Sequence, residues 1–228
     1  MKNSQARELG QLMCDTTSDL LWPSATAVPH HPDSTLTCRV GSGQATYHRF
    51  DPKSNRHLIT YGARMIEAKQ QPDTAQGWLS TREILKRRYF GAEVSPLNLL
   101  AHTCCHEFAH LLQQSAGKRF RGSVHNRDFY QILEQLHASG HAEAVRQTLL
   151  EGTRKRGLTL STVPFTRRTL TQESPVWQVG EVVAFQAGKR EVQGRIRRVN
   201  RKTCTVEGAG HALGIRYRVP LQLLRKAG

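Results

Sequence analysis

Residues 106–110 read His-Glu-Phe-Ala-His. On an α-helix, side chains four apart stand one turn apart on the same face, so His106 and His110 can grip one metal ion. Glu107 then lies beside that ion as a general base. The chemistry this pattern can do is metal-assisted hydrolysis of an amide. Zinc, the metal expected here, lowers the pKa of a bound water to about 7 and polarises a carbonyl. A carboxylate moves the proton to the leaving amine.

A catalytic zinc takes three protein ligands and keeps a fourth position for water. The third ligand is not on the same helix, because the positions three and six beyond His110 are Gln113 and Ala116. Two downstream residues are candidates. His125 opens an apolar-patterned helix, where its backbone would be well fixed, and it is favoured. Glu134 is the other, on a face that reads as solvated. An oxyanion stabiliser is left open among Tyr61, Arg127 and His102. His102 precedes His106 by one turn and could instead pack beside it.

The elements that must position these groups are legible in part. Ser95-Pro96 is a helix start, with Ser as cap and Pro at the first helical position. The apolar residues that follow carry the helix to about Ser115, and Ala116-Gly117 ends it. Cys104 and Cys105 fall in this apolar run and read as core residues. His125-Asn126-Arg127-Asp128-Phe129 opens a second helix, with Phe129, Ile132, Leu133 and Leu136 on one side, and Ala142 to Leu150 forms a third. Upstream, 5–22 has helical spacing. Three short strands around Thr37–Val40, Ala45–Phe50 and His57–Tyr61 suggest an antiparallel meander. Thr81-Arg82-Glu83 reads as an N-cap with an acidic first turn.

Composition bounds the rest. The chain has 228 residues, 38% hydrophobic and 22% charged, which suits globular domains. No apolar run is long enough to span a membrane, no secretory leader is visible, and the five cysteines make no disulfide framework. Cytoplasmic residence is expected, on the nucleoid if the source is bacterial. Net charge is +15, divided as +4 over residues 1–150 and +11 over 151–228. That asymmetry suggests an anionic partner, with DNA first and RNA second.

Residues 152–175 are rich in Gly, Thr, Arg and Ser and read as a linker. From 176 to 228 the pattern turns to period two, with turn signals between short strands, which implies a small all-β barrel of SH3-like or KOW-like type. Its candidate phosphate contacts are Arg195, Arg197, Arg198, Arg201, Lys202, Arg216 and Arg218. Trp177, Phe185 and Tyr217 could stack on bases or belong to the core.

Residues 35–140 resemble the SprT-like zinc metalloproteases, the family that includes the Spartan DNA–protein crosslink proteases. Three features carry the resemblance. One is the His106–His110 motif on a helix introduced by Leu99-Leu100-Ala101-His102. Another is a basic loop ending in His125, with Phe129 four residues on, similar to the family's His-Gly-x-x-Phe. The third is the strand His57-Leu58-Ile59-Thr60. The resemblance implies an α+β fold: a zincin-like domain over 1–151 with a small antiparallel sheet and the motif helix. It also implies zinc ligands His106, His110 and His125, with Glu107 as catalytic acid/base. Asn126 stands where the family has Gly; Asn tolerates left-handed backbone better than most residues, so a similar turn is possible there. The zinc ribbon that some relatives carry after the protease domain is absent, and the barrel-like segment takes its place. The expected activity is cleavage of proteins bound or crosslinked to nucleic acid. A nucleic-acid-binding or ribosome-associated protein with a structural zinc is the alternative. A hydrolase of small amides or esters is a third possibility.

Overall fold

The computed structural model describes residues 2–25, 33–120, 122–166, 177–187, 190–200 and 203–227. The chain divides into two compact units, Met1–Leu170 and Thr171–Gly228. Among the described residues, no helix is long and apolar enough to cross a membrane.

The first unit is α+β. Helix α1 (Lys2–Thr16) continues through a wider π-turn, Thr17–Leu21, into Trp22–Ser24. Strands β1 (Thr35–Gly41), β2 (Tyr47–Asp51) and β3 (Arg56–Gly62) form a sheet in the order β1-β3-β2. The expected antiparallel meander is therefore corrected. Strand β2 pairs antiparallel with β3 across a tight turn, but β1 lies on the far side of β3 and runs parallel to it. The chain leaving β1 must then cross the end of β3 to reach β2.

Gly62, the last residue of β3, permits that crossing. Arg64 N donates to Gly43 O (3.1 Å), and Gly62 N donates to Thr46 Oγ1 (3.0 Å). A Cβ on Gly62 would stand 2.5 Å from Gly43 O and 2.8 Å from the carbonyl carbon of Gln44, both backbone atoms. Gly62→Ala is expected to destabilise the first unit by about 1–3 kcal/mol, as overpacking does. A lowered urea midpoint at unchanged slope would register it.

Helix α2 (Ala63–Ala68) follows directly, and after a helical turn at Pro72–Ala75 comes α3 (Leu79–Arg87). Helix α3 begins two residues before the expected Thr81 cap. Trp78 is its flanking residue, and Thr81 Oγ1 donates to Ala75 O (2.7 Å) rather than to a free backbone end. Glu83 thus sits inside the helix, on its buried side.

Helix α4 (Pro96–Ser115) is the centre of the unit. Ser95 caps it by accepting from Asn98 N (3.1 Å), and Pro96 occupies the first turn. Seventeen of its 20 residues are buried, so it is enclosed by neighbours on every face and any polar side chain it carries must find a partner inside. Those neighbours are α1 with its π-turn, α3, α5 (Arg127–Ala138), α6 (His141–Lys155) and the sheet. Cys104 and Cys105 are fully buried.

The expected linker is corrected over its first half. Helix α6 runs to Lys155. Beyond it Leu97 N donates to Ser161 O (3.1 Å) and Phe165 N to Val94 O (2.7 Å), while Leu158, Leu160 and Phe165 pack on the first core. Spaced apolar residues, not average composition, decide this segment. Residues 167–175 lie outside the described residues.

The second unit is a five-stranded antiparallel sheet: β4 (Val182–Ala187), β5 (Arg190–Val199), β6 (Thr203–Gly208), β7 (Arg216–Pro220) and β8 (Arg225–Lys226), in the order β7-β6-β5-β4-β8. The expected closed barrel is corrected to a sheet whose edge strands, β7 and β8, do not pair with each other. One face covers a core of Trp177, Val183, Phe185, Val192, Ile196, Cys204, Val206, Val219 and Leu224. Alternation of β5 and β6 between buried and solvent-facing positions accounts for the period-two pattern.

Candidate metal centre

The structure brings His106, His110 and His125 together. His125 Nε2 lies 3.1 Å from His106 Nε2 and 3.1 Å from His110 Nε2. All three nitrogens fall within 4.8 Å of one another. The two helix histidines come from one face of α4. His125 reaches them from the loop between α4 and α5.

That loop is held at Asn126. Its φ of −84° and ψ of −174° are extended, so the left-handed turn that Asn would permit is not formed. Instead Asn126 caps α5: its Oδ1 accepts from Phe129 N (3.0 Å), and its Nδ2 donates to Lys118 O (3.2 Å). The same Oδ1 accepts from Gln113 Nε2 (2.9 Å), tying the start of α5 to α4. Phe129, fully buried, packs against all three imidazoles at centroid distances of 4.3 Å (His110), 4.9 Å (His106) and 4.9 Å (His125).

Hydrogen bonding sets where the protons lie. Glu83 Oε2 sits 3.0 Å from His106 Nδ1 and 2.9 Å from His102 Nε2. A carboxylate oxygen only accepts, so each imidazole donates through that nitrogen. His102 Nδ1 then accepts from His137 Nε2 (3.1 Å). His106 is left with a bare Nε2 lone pair facing its partners. His110 donates through Nδ1 toward Gln113 Oε1 (3.5 Å), which bares its Nε2 as well. Burial pushes the Glu83 carboxyl up, but the hydrogen bonds from His102 and His106 outweigh burial and hold it well below the usual range. Burial and the neighbouring histidines lower His110 to about 2, and burial lowers His125. Both shifts favour the neutral imidazole, the form that ligates a metal.

Three converging ring nitrogens are a donor set that could hold a metal ion. Glu83, His102 and His106 form a second such group. Its contacts are those of hydrogen bonds, with every proton accounted for, so we read Glu83 as the carboxylate that orients His106. Glu83→Ala removes the single oxygen, Oε2, that accepts from both His102 and His106. Metal affinity is expected to fall about 10–100-fold, measured by competition with a chromogenic chelator.

Glu107 faces a cavity of about 260 Å³ lined also by His106, His110, His125, Lys69 and Arg119. It is only 6% exposed, and its Oε2 has no hydrogen-bond partner. Burial raises its pKa, while His106, Lys69 and Arg119 oppose that rise. On the cavity wall Arg119 Nη1 donates to His48 Nδ1 (2.8 Å). His48 Nε2 in turn lies 2.9 Å from His57 Nδ1.

The other candidates from the sequence fall elsewhere. Glu134 is exposed and ion-paired with Arg87, away from the imidazoles. Tyr61 is fully buried with its hydroxyl 2.7 Å from Thr17 Oγ1. Arg127 is exposed at the start of α5. His102 serves Glu83. None of the four lines the cavity.

In the second unit Arg195, Arg197, Arg198, Arg216 and Arg218 are all exposed. Register places Arg195, Glu207 and Arg216 side by side across three strands, with Thr205 beside Arg218 in the next row. Arg197 is paired with Glu207 (2.5 Å), and a bulge between Ile196 and Arg198 brings Arg198 outward. Arg201 and Lys202 lie outside the described residues. Trp177 and Phe185 are buried, and Tyr217 packs edge-on against Phe185.

No protein-family model, no curated protein and no solved structure matches the chain.

Proposed function

We propose that this protein is a zinc-dependent endopeptidase of SprT-like character that acts on proteins bound or crosslinked to nucleic acid. The observation carrying this reading is the pairing of three Nε2 atoms within one ion's reach with a buried, unpartnered Glu107 oxygen in the adjoining cavity. Zinc–nitrogen bonds of about 2.1 Å in a tetrahedron put ligand atoms about 3.4 Å apart, close to the 3.1 Å separations here. Imidazole donors and an open fourth direction suit a catalytic zinc, whereas a structural zinc closes its shell with a fourth side chain.

When bound, zinc would supply an acidified water and polarise the scissile carbonyl. Glu107 accepts the water's proton and returns it to the leaving nitrogen. Its burial makes it a stronger proton acceptor than an exposed glutamate. Glu83 fixes the His106 ring and its tautomer. Phe129 keeps the three rings in register and excludes water from beneath them.

The exposed arginines of the second unit support a DNA contact made through phosphates. With Trp177 and Phe185 in the core and Tyr217 packed against it, stacking contributes little, and RNA remains an alternative ligand for the same surface. Arg216→Ala with Arg218→Ala is expected to lower the slope of log affinity against log salt by about two. An unchanged slope for single-stranded DNA would count against the surface.

The direct test of the peptidase reading is metal analysis of the purified protein together with casein or histone cleavage, with and without single-stranded DNA. Stoichiometric zinc with cleavage supports it. Stoichiometric zinc and nucleic-acid binding without cleavage of any protein would instead favour a binding protein with a structural zinc. Turnover confined to small amides or esters would favour a small-molecule hydrolase.

A further inference from the structure

We propose that the cavity beside the three imidazoles receives a carboxylate of the substrate, and that Lys69 is the residue that binds it. The inference rests on the peptidase reading for its substrate and on separate observations for its chemistry. Lys69 follows α2 and is 3% exposed, yet it carries an ammonium that lines the cavity. An ammonium has three donors. One goes to Thr103 Oγ1, whose own hydrogen goes to Leu99 O (2.6 Å). The ring of Trp78 covers another side, with its centroid 5.5 Å from Nζ. Among the described residues no carboxylate forms an ion pair with Lys69.

A buried ammonium without a counter-ion is costly, and removing its charge is the usual relief. Burial does depress Lys69, to about 8, but attraction from Glu107 opposes the shift and the group stays mostly charged at pH 7. Glu107 exerts this attraction through space and forms no ion pair with Lys69. Arg119 adds a second cation to the wall, and Glu107 is the one acid among the lining residues. A loaded site would therefore present a net positive cavity with an unspent N–H on its wall. The complementary group is a carboxylate: an Asp or Glu side chain next to the cut, or the C-terminus of a short peptide. Lys69 is a specificity residue here, acting on substrate some distance from the reacting bond.

The test compares these sources. Zinc-loaded protein digests a randomised library of C-terminally amidated decapeptides, and the products are sequenced. The expected result is about tenfold enrichment of Asp and Glu at one position near the cut, falling to none in Lys69→Met and Lys69→Gln. Equal cutting of acidic and neutral sequences, combined with a tenfold preference for free-acid over amidated termini, assigns the site to a C-terminal carboxylate. No preference of either kind in peptides that are cut overturns the proposal, as does a preference that survives in both variants.

A second arm uses zinc-free protein, so that the metal cannot hold the carboxylate. N-acetyl-aspartate amide is titrated against N-acetyl-asparagine amide, and N-acetyl-alanine against its amide, following the indole signal of Trp78. One acid of the two pairs is expected to bind about tenfold more tightly than its amide, a comparison that needs no variant. If no peptide is cut at all, the peptidase reading fails and this arm alone decides: tighter binding of an acid sustains the carboxylate site, and equal binding removes it.

Discussion

Glu107→Gln is expected to reduce peptide hydrolysis by about two to four orders of magnitude, the span that positioned acid–base groups contribute, while zinc content stays at the wild-type level. The substitution keeps the shape of the side chain and takes away its capacity to accept a proton. Glu107 ligates nothing in the arrangement proposed, since the three imidazoles already converge without it. Its carboxylate is buried, unpartnered at Oε2 and aimed into the cavity. An amide there leaves the ion's surroundings nearly unchanged and stalls the proton transfer. The paired readout matters because loss of activity together with loss of metal would assign Glu107 a role in binding the ion. Full activity in the variant would remove it from the chemistry and leave the reading of the site without its base.

Phe129→Ala should destabilise the first unit by about 3–5 kcal/mol, the cost of removing a large aromatic from a packed core. Phe129 has no exposed surface, and its ring contacts all three imidazoles. The void would therefore open directly beneath the proposed ligands. Chemical unfolding of the metal-free protein reads the stability term. A separate metal titration reads the alignment term, and affinity is expected to fall as well because the rings lose the surface that registers them. A loss under about 1 kcal/mol with metal binding intact would mean that α4 and the loop position the histidines without help from α5.

How far the site is legible in the chain depends on how local each part is. The pairing of His106 with His110 is carried by helical periodicity, and the helix by Ser95, Pro96 and a run of apolar residues, all within about 20 positions. His125 could be reached by argument because the loop before it is short and an apolar-patterned helix follows. Glu83 could not: it stands 23 residues before His106, and the Thr81-Arg82-Glu83 string looks like a helix start. The available clue was a glutamate beside Ile84 on the apolar side of a helix. Comparison with the family's Gly points to the Asn126 backbone, whereas it is the side chain that does the capping. Lys69 and Arg119 carry no local mark at all, since surface lysines and arginines in a basic chain look the same as buried ones.

The same division runs through the sheets. The β2–β3 hairpin follows from a turn of a few residues. The parallel pairing of β1 with β3 depends on a crossing over Gly62 that no periodicity encodes. Alternation in the second unit reveals strands, but whether their edges meet is a matter of strand number and curvature over the whole sheet, and here they remain apart. By itself the sequence determined the motif helix, its caps, the core identity of Cys104 and Cys105 and the charge asymmetry, because each depends on neighbours along the chain. Only the tertiary structure decided which carboxylate orients His106, which cations line the cavity and how the strands pair. Those depend on which side chains share a small volume, and residues far apart in sequence come to share it only when the core closes around α4.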